Sequence, residues 1–401
     1  MNVRNVFLSV LDGTFCGKMR SRFFFATYHL YAVVFLKNVR IKRNKIVLAN
    51  FYGRGYGCNP KYIAEYILRN NLDYELVWIV DKAKCRFGDD LPDGIRKVRY
   101  KSYKSVKELA SAGFWIDNCR KDYFPPKKQG QVYIQTWHGT FRTKKIEADA
   151  VLPDIYVKMA KRDSSAIDYL LSGCKKRTAQ FRQCFWYDGA IVETGCPRDD
   201  ILFDESAGAI VKKKIREMYG LDFKSKILLY VPTFRNSHTL DFYDVDYAAV
   251  RSALEERFGG EWHVMVRLHP GMLPYAEGLR LPDFVLNGTF YNDIQELLCA
   301  SDAVLTDYSS MGDYSLYLKP LFRYCPDLDS YKAERGFYED IESLPFPIAH
   351  DNVELVRTIL DFDAEKYETK LLDYYTENGL FGRGHASKNV VALIEQGLSN
   401  G

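Results

Sequence analysis

The chain has 401 residues, of which 47% are hydrophobic, 27% charged and 15% aromatic, and its formal net charge is +4. This composition supplies a large apolar core and excludes a disordered, collagen-like or small disulfide-stapled protein. At roughly 150 residues per domain, the length predicts two or three domains. The small net charge gives no indication of nucleic-acid binding.

The nine cysteines are dispersed singly, and no Cys-x-x-Cys pair occurs. This pattern predicts inert thiols in a reducing compartment and argues against a zinc site. No acidic pair forms a convincing metal site either. We therefore expect neither a metal nor a cofactor.

The first 45 residues carry nine Lys or Arg and one acidic residue, a net charge of +8. Within them lies a 14-residue apolar stretch, 23–36 (FFFATYHLYAVVFL), which is shorter than the roughly 20 residues that a membrane-spanning helix needs. Aromatic side chains flanked by cations favour a helix that lies in an anionic membrane surface. The alternative is a core helix whose charges are simply solvated.

From residue 46 onward, short apolar runs alternate with helical patterns in two series. Such alternation predicts parallel sheets covered on both faces. We expect an α/β fold with two Rossmann-like domains facing a cleft, 46–210 and 211–401, after a basic, aromatic, helical segment at 1–45. The last helix is expected either to stay with the second domain or to pack back on the first.

Ligands of parallel α/β sheets bind beyond the carboxyl ends of strands. His138 follows a predicted strand at 132–136 and lies between Trp137 and Gly139, so it is expected to project into the cleft. A neutral histidine there could act as a general base toward a hydroxyl. The alternative is a structural histidine that is hydrogen-bonded in a turn.

Cationic side chains follow two strands of the second series. Arg235 comes just after 227–231, where a guanidinium can clamp phosphate oxygens. Arg267 and His269 are predicted on one face of a strand that Pro270 ends, which makes a plausible anion site.

Hydroxyl groups follow another predicted strand, at Thr306, Ser309 and Ser310. Hydroxyls and backbone N–H groups at a helix start can cradle a phosphate, and ordinary helix capping is compatible with that role. The glycines at 53–57 lack the spacing of a dinucleotide fingerprint. Together these features indicate an enzyme that acts on a nucleotide-diphosphate donor without an obligatory metal.

Six motifs, in this order, resemble those of the CDP-glycerol glycerophosphotransferases of teichoic-acid and capsule synthesis. They are QTWHGT at Gln135–Thr140, GxPRxD at Gly195–Asp200, PTFR at Pro232–Arg235, RLHP at Arg267–Pro270, LTDYSS at Leu305–Ser310 and RGFY at Arg335–Tyr338.

The resemblance implies a glycosyltransferase-B-like fold and transfer of glycerol phosphate from CDP-glycerol to a hydroxyl of a membrane-linked, undecaprenyl-type acceptor, with release of CMP. It implies that His138 is the catalytic base and that His269 is a second essential histidine near the donor phosphates. It also implies peripheral attachment to the cytoplasmic face of the cell membrane. The implied donor-binding residues are Arg235, Arg267, Thr306, Asp307, Ser309 and Ser310, and the other motif residues are Trp137, Gly139, Arg198, Asp200 and Arg335.

The chain departs from the family pattern at 141–146, 345–347 and 383–387. The first departure lies beside the expected base, so it bears on acceptor choice. A CDP-ribitol or other CDP-polyol transferase remains the nearest alternative. A UDP-sugar glycosyltransferase and a non-catalytic scaffold are more distant ones, because 306–310 replaces a Glu-rich donor motif and both histidines are present. Acceptor, number of units added and oligomeric state stay open.

Overall fold

The computed structural model describes residues 26–82, 91–141, 143–233, 235, 244–269, 272, 281–309, 316 and 318–399. Ser310 and Pro270, which the sequence analysis singles out, lie outside these residues, as does the first part of the basic segment. The side chain of Arg335 lies outside them as well.

The first sheet has seven strands, all paired in parallel, in the order β3-β2-β1-β4-β5-β6-β7. Its strands are β1 (Lys42–Ala49), β2 (Glu75–Val80), β3 (Ile95–Arg99), β4 (Ala112–Asp117), β5 (Val132–Gln135), β6 (Tyr169–Leu171) and β7 (Ala190–Val192).

The second sheet has six strands, also all parallel, in the order β10-β9-β8-β11-β12-β13. Its strands are β8 (Lys226–Val231), β9 (Trp262–Val266), β10 (Val285–Asn287), β11 (Ala303–Thr306), β12 (Leu321–Tyr324) and β13 (Ile348–Ala349). The predicted α/β fold with two parallel sheets is therefore confirmed.

Helices connect the parallel strands, because a parallel pair requires a crossover. In chain order the described α-helices are α1 (26–35), α2 (Cys58–Arg69), α3 (Tyr103–Ser111), α4 (Asp154–Ser164), α5 (Lys175–Cys184), α6 (Glu205–Met218), α7 (Tyr247–Phe258), α8 (Ile294–Ala300), α9 (Leu328–Arg335), α10 (Asn352–Leu360), α11 (Ala364–Asn378) and α12 (Ala386–Ser399). A 3-10 helix at Pro197–Phe203 precedes α6.

Both faces of the first sheet are covered, which explains why strands β2 and β4 are buried along almost their whole length. In β2, every residue from Leu76 to Val80 is buried. One face packs in a cluster with Trp115 and Tyr133, and the other in a cluster with Ile46 and Trp78.

The last helix, α12, packs on the first sheet rather than the second. Val390, Val391 and Ile394 belong to the same apolar cluster as Ile46 and Trp78. The chain therefore crosses from the first sheet to the second and then returns.

Several strand boundaries differ from the predictions, and two of these differences have a clear cause. Strand β1 begins at Lys42, four residues early, because its basic residues find acidic partners: Lys42 and Lys45 both pair with Glu75. Strand β9 ends at Val266, because the next ladder N–H, that of Leu268, donates to the Thr289 hydroxyl at 3.2 Å. The prediction that Arg267 and His269 lie on the strand was wrong, since both residues follow it.

Candidate active site

The segment after β5 turns sharply and presents His138. The Gln135 side-chain oxygen accepts from the Trp137 N–H at 2.9 Å. Trp137 has φ 49° and Gly139 has φ 98°, so two residues that flank His138 have left-handed backbone. For a non-glycine residue this conformation costs about 1–3 kcal/mol and persists only where the surroundings enforce it. The turn is therefore built to aim one side chain.

The His138 imidazole is held on three sides. Its Nδ1 lies 2.7 Å from the Asn118 carbonyl oxygen. Its ring stacks on Trp137 and meets Phe51 edge-on, with centroid distances of 4.7 and 4.9 Å. A carbonyl oxygen only accepts hydrogen bonds, so Nδ1 carries the ring proton and the basic lone pair is on Nε2. This is the tautomer that a general base requires.

Asn59, at the start of α2, joins the His138 turn to the turn after β7. Its amide donates to the Trp137 carbonyl oxygen at 3.0 Å, and its Oδ1 accepts from the Arg198 N–H at 2.9 Å. Asn59 is fully buried. Asn59 belongs to none of the six motifs, so this role of its side chain was missed.

Asp199 extends the same connection into the second sheet. Its carboxylate accepts from the Thr140 hydroxyl at 2.6 Å and from the Gln295 amide at 2.9 Å. Thr140 belongs to the His138 turn, whereas Gln295 lies in α8. Asp199 was also missed, although it stands between two residues of a motif that was noted.

Arg198 and Asp200, two of the predicted motif residues, are packed against other parts of the protein. Arg198 is buried beside Asp199, and Asp200 caps α12 by accepting from the backbone N–H groups of Ala386 and Ser387 at 2.9 and 2.7 Å. Burial raises the pKa of Asp200, and those N–H donors oppose the rise. Both residues therefore fix the packing of strand-end segments.

In the second sheet, Asp307 gathers the ends of β8 and β11. Its carboxylate accepts from the Thr233 N–H at 2.9 Å, from the Thr233 hydroxyl at 3.0 Å and from Arg235 at 2.9 Å. The Thr306 hydroxyl donates to the Val231 carbonyl oxygen at 2.8 Å. Thr306 and Asp307 are buried, so their side chains shape the turn from inside the protein.

Arg235 is only 3% exposed. Its guanidinium forms a two-pronged pair with Asp327, with N–O distances of 2.6 and 2.9 Å, and lies over the rings of Tyr308 and Tyr331. Burial alone would lower the pKa of Arg235, but Asp327 and Asp307 outweigh it and raise the pKa. This geometry favours a supporting role for Arg235 over direct contact with a ligand.

The accessible groups at the ends of these strands are fewer than the motifs suggested. Ser309 is partly exposed, Arg267 is half-buried and His269 is exposed. The Arg267 guanidinium donates to the Tyr291 carbonyl oxygen at 3.2 Å. Of the histidine and donor-binding residues predicted in this sheet, Ser309, Arg267 and His269 are therefore the described ones that a ligand can reach.

The two sheets also meet through backbone pairing. Lys144 forms an antiparallel bridge with Phe337, and the Tyr338 N–H donates to the Thr143 carbonyl oxygen at 2.7 Å. The residues after WHGT therefore run along the RGFY segment. Because backbone pairing does not depend on which side chains are present, the departure from the family pattern at 141–146 is compatible with an intact RGFY motif.

A buried ion cluster joins α2 to α8. The Lys61 ammonium lies 2.7 Å from an Asp293 oxygen and also pairs with Glu296, while the Tyr62 hydroxyl donates to Asp293 at 2.9 Å. Burial alone would lower the pKa of Lys61, but Asp293, Glu65 and Glu296 raise it. No sequence motif pointed to this cluster, because its members are 232 and 235 positions apart.

The described residues lack two kinds of feature. None of the helices in that part of the chain is long and apolar enough to cross a membrane. Within the same residues, no group of three or more His, Cys, Asp or Glu side chains is placed to hold a metal ion.

Two parallel sheets whose strand-end turns contact each other are the architecture of glycosyltransferase-B-like enzymes. Residues 30–396 match the family model described as CDP-Glycerol:Poly(glycerophosphate) glycerophosphotransferase. The chain therefore belongs to that family, and the resemblance inferred from the six motifs is confirmed.

Individual relatives agree with this assignment. The chain is 28% identical to a teichoic acid poly(glycerol phosphate) polymerase of Bacillus spizizenii, over 90% of this chain and 95% of that protein. It is 29% identical to the polymerase of the same name from Staphylococcus epidermidis, over 90% of this chain but only 52% of that protein, so it spans about half of that relative.

Solved structures of the wall teichoic acid polymerase TagF are similar over the whole chain. A histidine-to-alanine variant aligns with a TM-score of 0.81 at 28% identity, covering 100% of this chain and 99% of that chain. A histidine-to-asparagine variant soaked with CDPG aligns with the same TM-score, identity and coverage.

Proposed function

We propose that this chain transfers glycerol phosphate from CDP-glycerol to a hydroxyl of a membrane-linked acceptor and releases CMP, with His138 as the general base. The observation that carries the proposal is the 2.7 Å contact between His138 Nδ1 and the Asn118 carbonyl oxygen. It puts the proton-accepting lone pair on Nε2, at a strained strand-end turn of a protein whose family is named for this reaction.

The chemical step is a displacement at the β-phosphorus of CDP-glycerol. The acceptor hydroxyl oxygen forms a new bond to that phosphorus, its proton passes to His138 Nε2, and the bond to the bridging oxygen breaks so that CMP leaves. Charge grows on the CMP phosphate as it departs. Fixed cationic and N–H donors stabilise such charge, and Arg267, His269 and Ser309 are the described groups that can supply them.

Asp307 and Arg235 contribute indirectly. Together with Thr233 they lock the turn that ends in Ser309, so the donor-facing groups do not have to be ordered when the substrate binds. Such preorganisation is a large part of catalysis of phosphoryl transfer.

The test is CMP release from CDP-glycerol and, separately, from CDP-ribitol, with a lipid-linked disaccharide as acceptor. Wild-type protein should release CMP from CDP-glycerol, and His138→Asn should lower kcat by about 10²–10⁴-fold. His263→Asn is the matched control, because His263 lies in β9 and contacts Glu261 at 3.6 Å, at the end of the strand away from the site. Release from CDP-ribitol alone would keep the mechanism and change the donor, whereas full activity of His138→Asn would remove the assigned base.

We also propose that α1 attaches the protein to the cytoplasmic face of the cell membrane. One side of the helix packs on the protein: Tyr28 stacks on Tyr103 with ring centroids 4.8 Å apart. The other side exposes Leu30, Val34 and Phe35, which are 62%, 58% and 70% exposed. The exposed cations Lys37 and Arg40 follow directly. An exposed apolar row beside cations suits a surface of anionic lipid.

Sedimentation with phosphatidylglycerol-containing vesicles tests this attachment. Replacing Leu30, Val34 and Phe35 together by serine should release the protein. The matched control replaces Ile155, Ile210 and Val353, which are 60%, 70% and 68% exposed on other helices. High salt should weaken binding of the wild type. Equal sedimentation of the two triple variants would exclude α1 as the anchor.

A further inference from the structure

Asn118 lies directly after β4 and is fully buried. Its backbone carbonyl oxygen is the partner of His138 Nδ1. None of the motifs includes this residue. The family resemblance therefore assigns no role to the Asn118 side chain.

The Asn118 side chain clamps the turn that follows β1. Its Oδ1 accepts from the Phe51 N–H at 2.9 Å, and its Nδ2 donates to Asn50 Oδ1 at 2.7 Å. Asn50 in turn donates to the Arg54 carbonyl oxygen at 2.7 Å. A buried amide that uses both its acceptor and its donor in this way fixes the orientation of everything attached to it.

The clamped turn is strained. Phe51 has φ 38° and Tyr52 has φ 60°, so two consecutive non-glycine residues are left-handed. Such backbone needs tertiary contacts to hold it. The clamped turn places the ring of Phe51 against the ring of His138, with the two centroids 4.9 Å apart.

We infer that Asn118 is a positioning residue for His138. Its carbonyl selects the tautomer, and its side chain holds the strained 50–54 turn so that Phe51 blocks rotation of the imidazole. Asn118 acts through His138 and Phe51, without touching the substrate. This inference rests on the proposed function in one respect only, namely that His138 is the base.

The first variant is Asn118→Ala, which removes both side-chain hydrogen bonds and keeps the carbonyl. We expect kcat for CMP release to fall about 10- to 100-fold, because a small displacement of a catalytic group costs that much. KM for CDP-glycerol should stay within about twofold, because the loss is confined to the chemical step. Asn118→Asp keeps the acceptor for the Phe51 N–H but cannot donate to Asn50, so it should show a smaller loss and serves if the alanine variant does not fold.

The second readout is the tautomer itself. Two-bond ¹H–¹⁵N correlation spectra of histidine-labelled protein distinguish Nδ1–H from Nε2–H, and His138→Asn identifies the signal. Wild type should show the Nδ1–H form. Asn118→Ala should show a mixture, because an imidazole that Phe51 no longer blocks can rotate away from the Asn118 carbonyl oxygen. Because no substrate is present, this readout stands even if CDP-glycerol proves not to be the donor.

Gln131→Ala is the matched control. Gln131 is buried, and its amide donates to the Leu109 and Ala112 carbonyl oxygens at 2.8 and 2.6 Å, at the opposite end of β5. This variant loses a comparable pair of buried hydrogen bonds and should keep both kcat and the tautomer. An unchanged tautomer in Asn118→Ala, an unchanged kcat, or an equal fall of kcat in Gln131→Ala would each overturn the inference.

Discussion

Lys61 and Asp293 form an ion pair of 2.7 Å between helices that belong to different sheets. Both side chains are almost entirely buried, at 5% and 3% exposure. An ion pair in such surroundings fixes the relative position of the two helices, because either charge left alone would be costly. The orientation of the two strand-end edges therefore depends on a contact that is remote in sequence.

Removal of the Lys61 charge should destabilise the protein strongly. Lys61→Met leaves Asp293 and Glu296 without their shared cation, so we expect a loss of about 3–5 kcal/mol in the free energy of unfolding. Urea unfolding followed by tryptophan fluorescence measures it. Lys213→Met is the control, because Lys213 and Glu217 are 69% and 67% exposed. A loss for Lys61→Met no larger than for this surface variant would contradict the prediction.

The same cluster should make stability depend on pH. Burial alone would raise the pKa of Glu296, but Lys61, Tyr291 and Lys214 outweigh it and hold the pKa well below its ordinary value. The folded state therefore binds fewer protons than the unfolded state below the unfolded pKa of about 4.3, and the contribution of Glu296 is present above that pH and is lost as the pH falls.

Glu296→Gln isolates this effect. The variant should be less stable than wild type at pH 7, and the difference should shrink steadily as the pH is lowered from 5 toward 2, in urea unfolding series at each pH. A difference that stays constant over this range would show that the charge of Glu296 is not the cause.

Asp307→Asn should weaken donor binding. Asp307 Oδ1 accepts from the Tyr308 N–H, and Oδ2 accepts from the Thr233 hydroxyl and Arg235. In asparagine the amide NH2 would face donors at one of these two positions, so the turn that ends in Ser309 loses a tie. We expect KM for CDP-glycerol to rise about tenfold, equivalent to roughly 1.4 kcal/mol, with a smaller change in kcat. Asp329→Asn, on the exposed face of α9, is the control and should keep both constants. An unchanged KM in Asp307→Asn would leave the network with a purely structural role.

Two glycine substitutions should have opposite signs. Gly195 has φ +87°, and an added Cβ would lie 2.7 Å from Gly382 Cα, so Gly195→Ala should destabilise the protein. Gly208 lies inside α6 with nothing within 4 Å of an added Cβ, so Gly208→Ala should stabilise it by about 0.5–1 kcal/mol. Thermal unfolding compares the two variants, and changes of the same sign would contradict the prediction.

The sequence predicted the sheets well because most of the strands contain a short run of buried apolar residues, a signal that is local. The strands predicted at 132–136 and 227–231 are observed within one residue of those bounds, at Val132–Gln135 and Lys226–Val231. Strand boundaries that depend on side chains from other parts of the chain were harder to predict. The early start of β1 depends on Glu75, and the early end of β9 depends on Thr289.

The candidate site was predicted in part. His138 was singled out as a candidate because a histidine between Trp137 and Gly139 at a strand end is an unusual local pattern. Asn118 was not, because a buried asparagine has no pattern of its own. Its hydrogen-bond partners lie 67 and 68 positions away. The motif at 305–310 was noted, but whether each polar side chain faces a ligand or the protein is decided by packing, and Thr306 and Asp307 face the protein.

The return of α12 to the first sheet has a consequence for folding. Ile46 and Trp78 share their core with Val390 and Ile394, and the whole second sheet lies between them in the chain. During synthesis, the apolar face of the first sheet that α12 covers therefore stays exposed until the second sheet and α12 have been made. The first half cannot finish folding before the second has been synthesised. Its exposed apolar face is a surface to which chaperones can bind during that time.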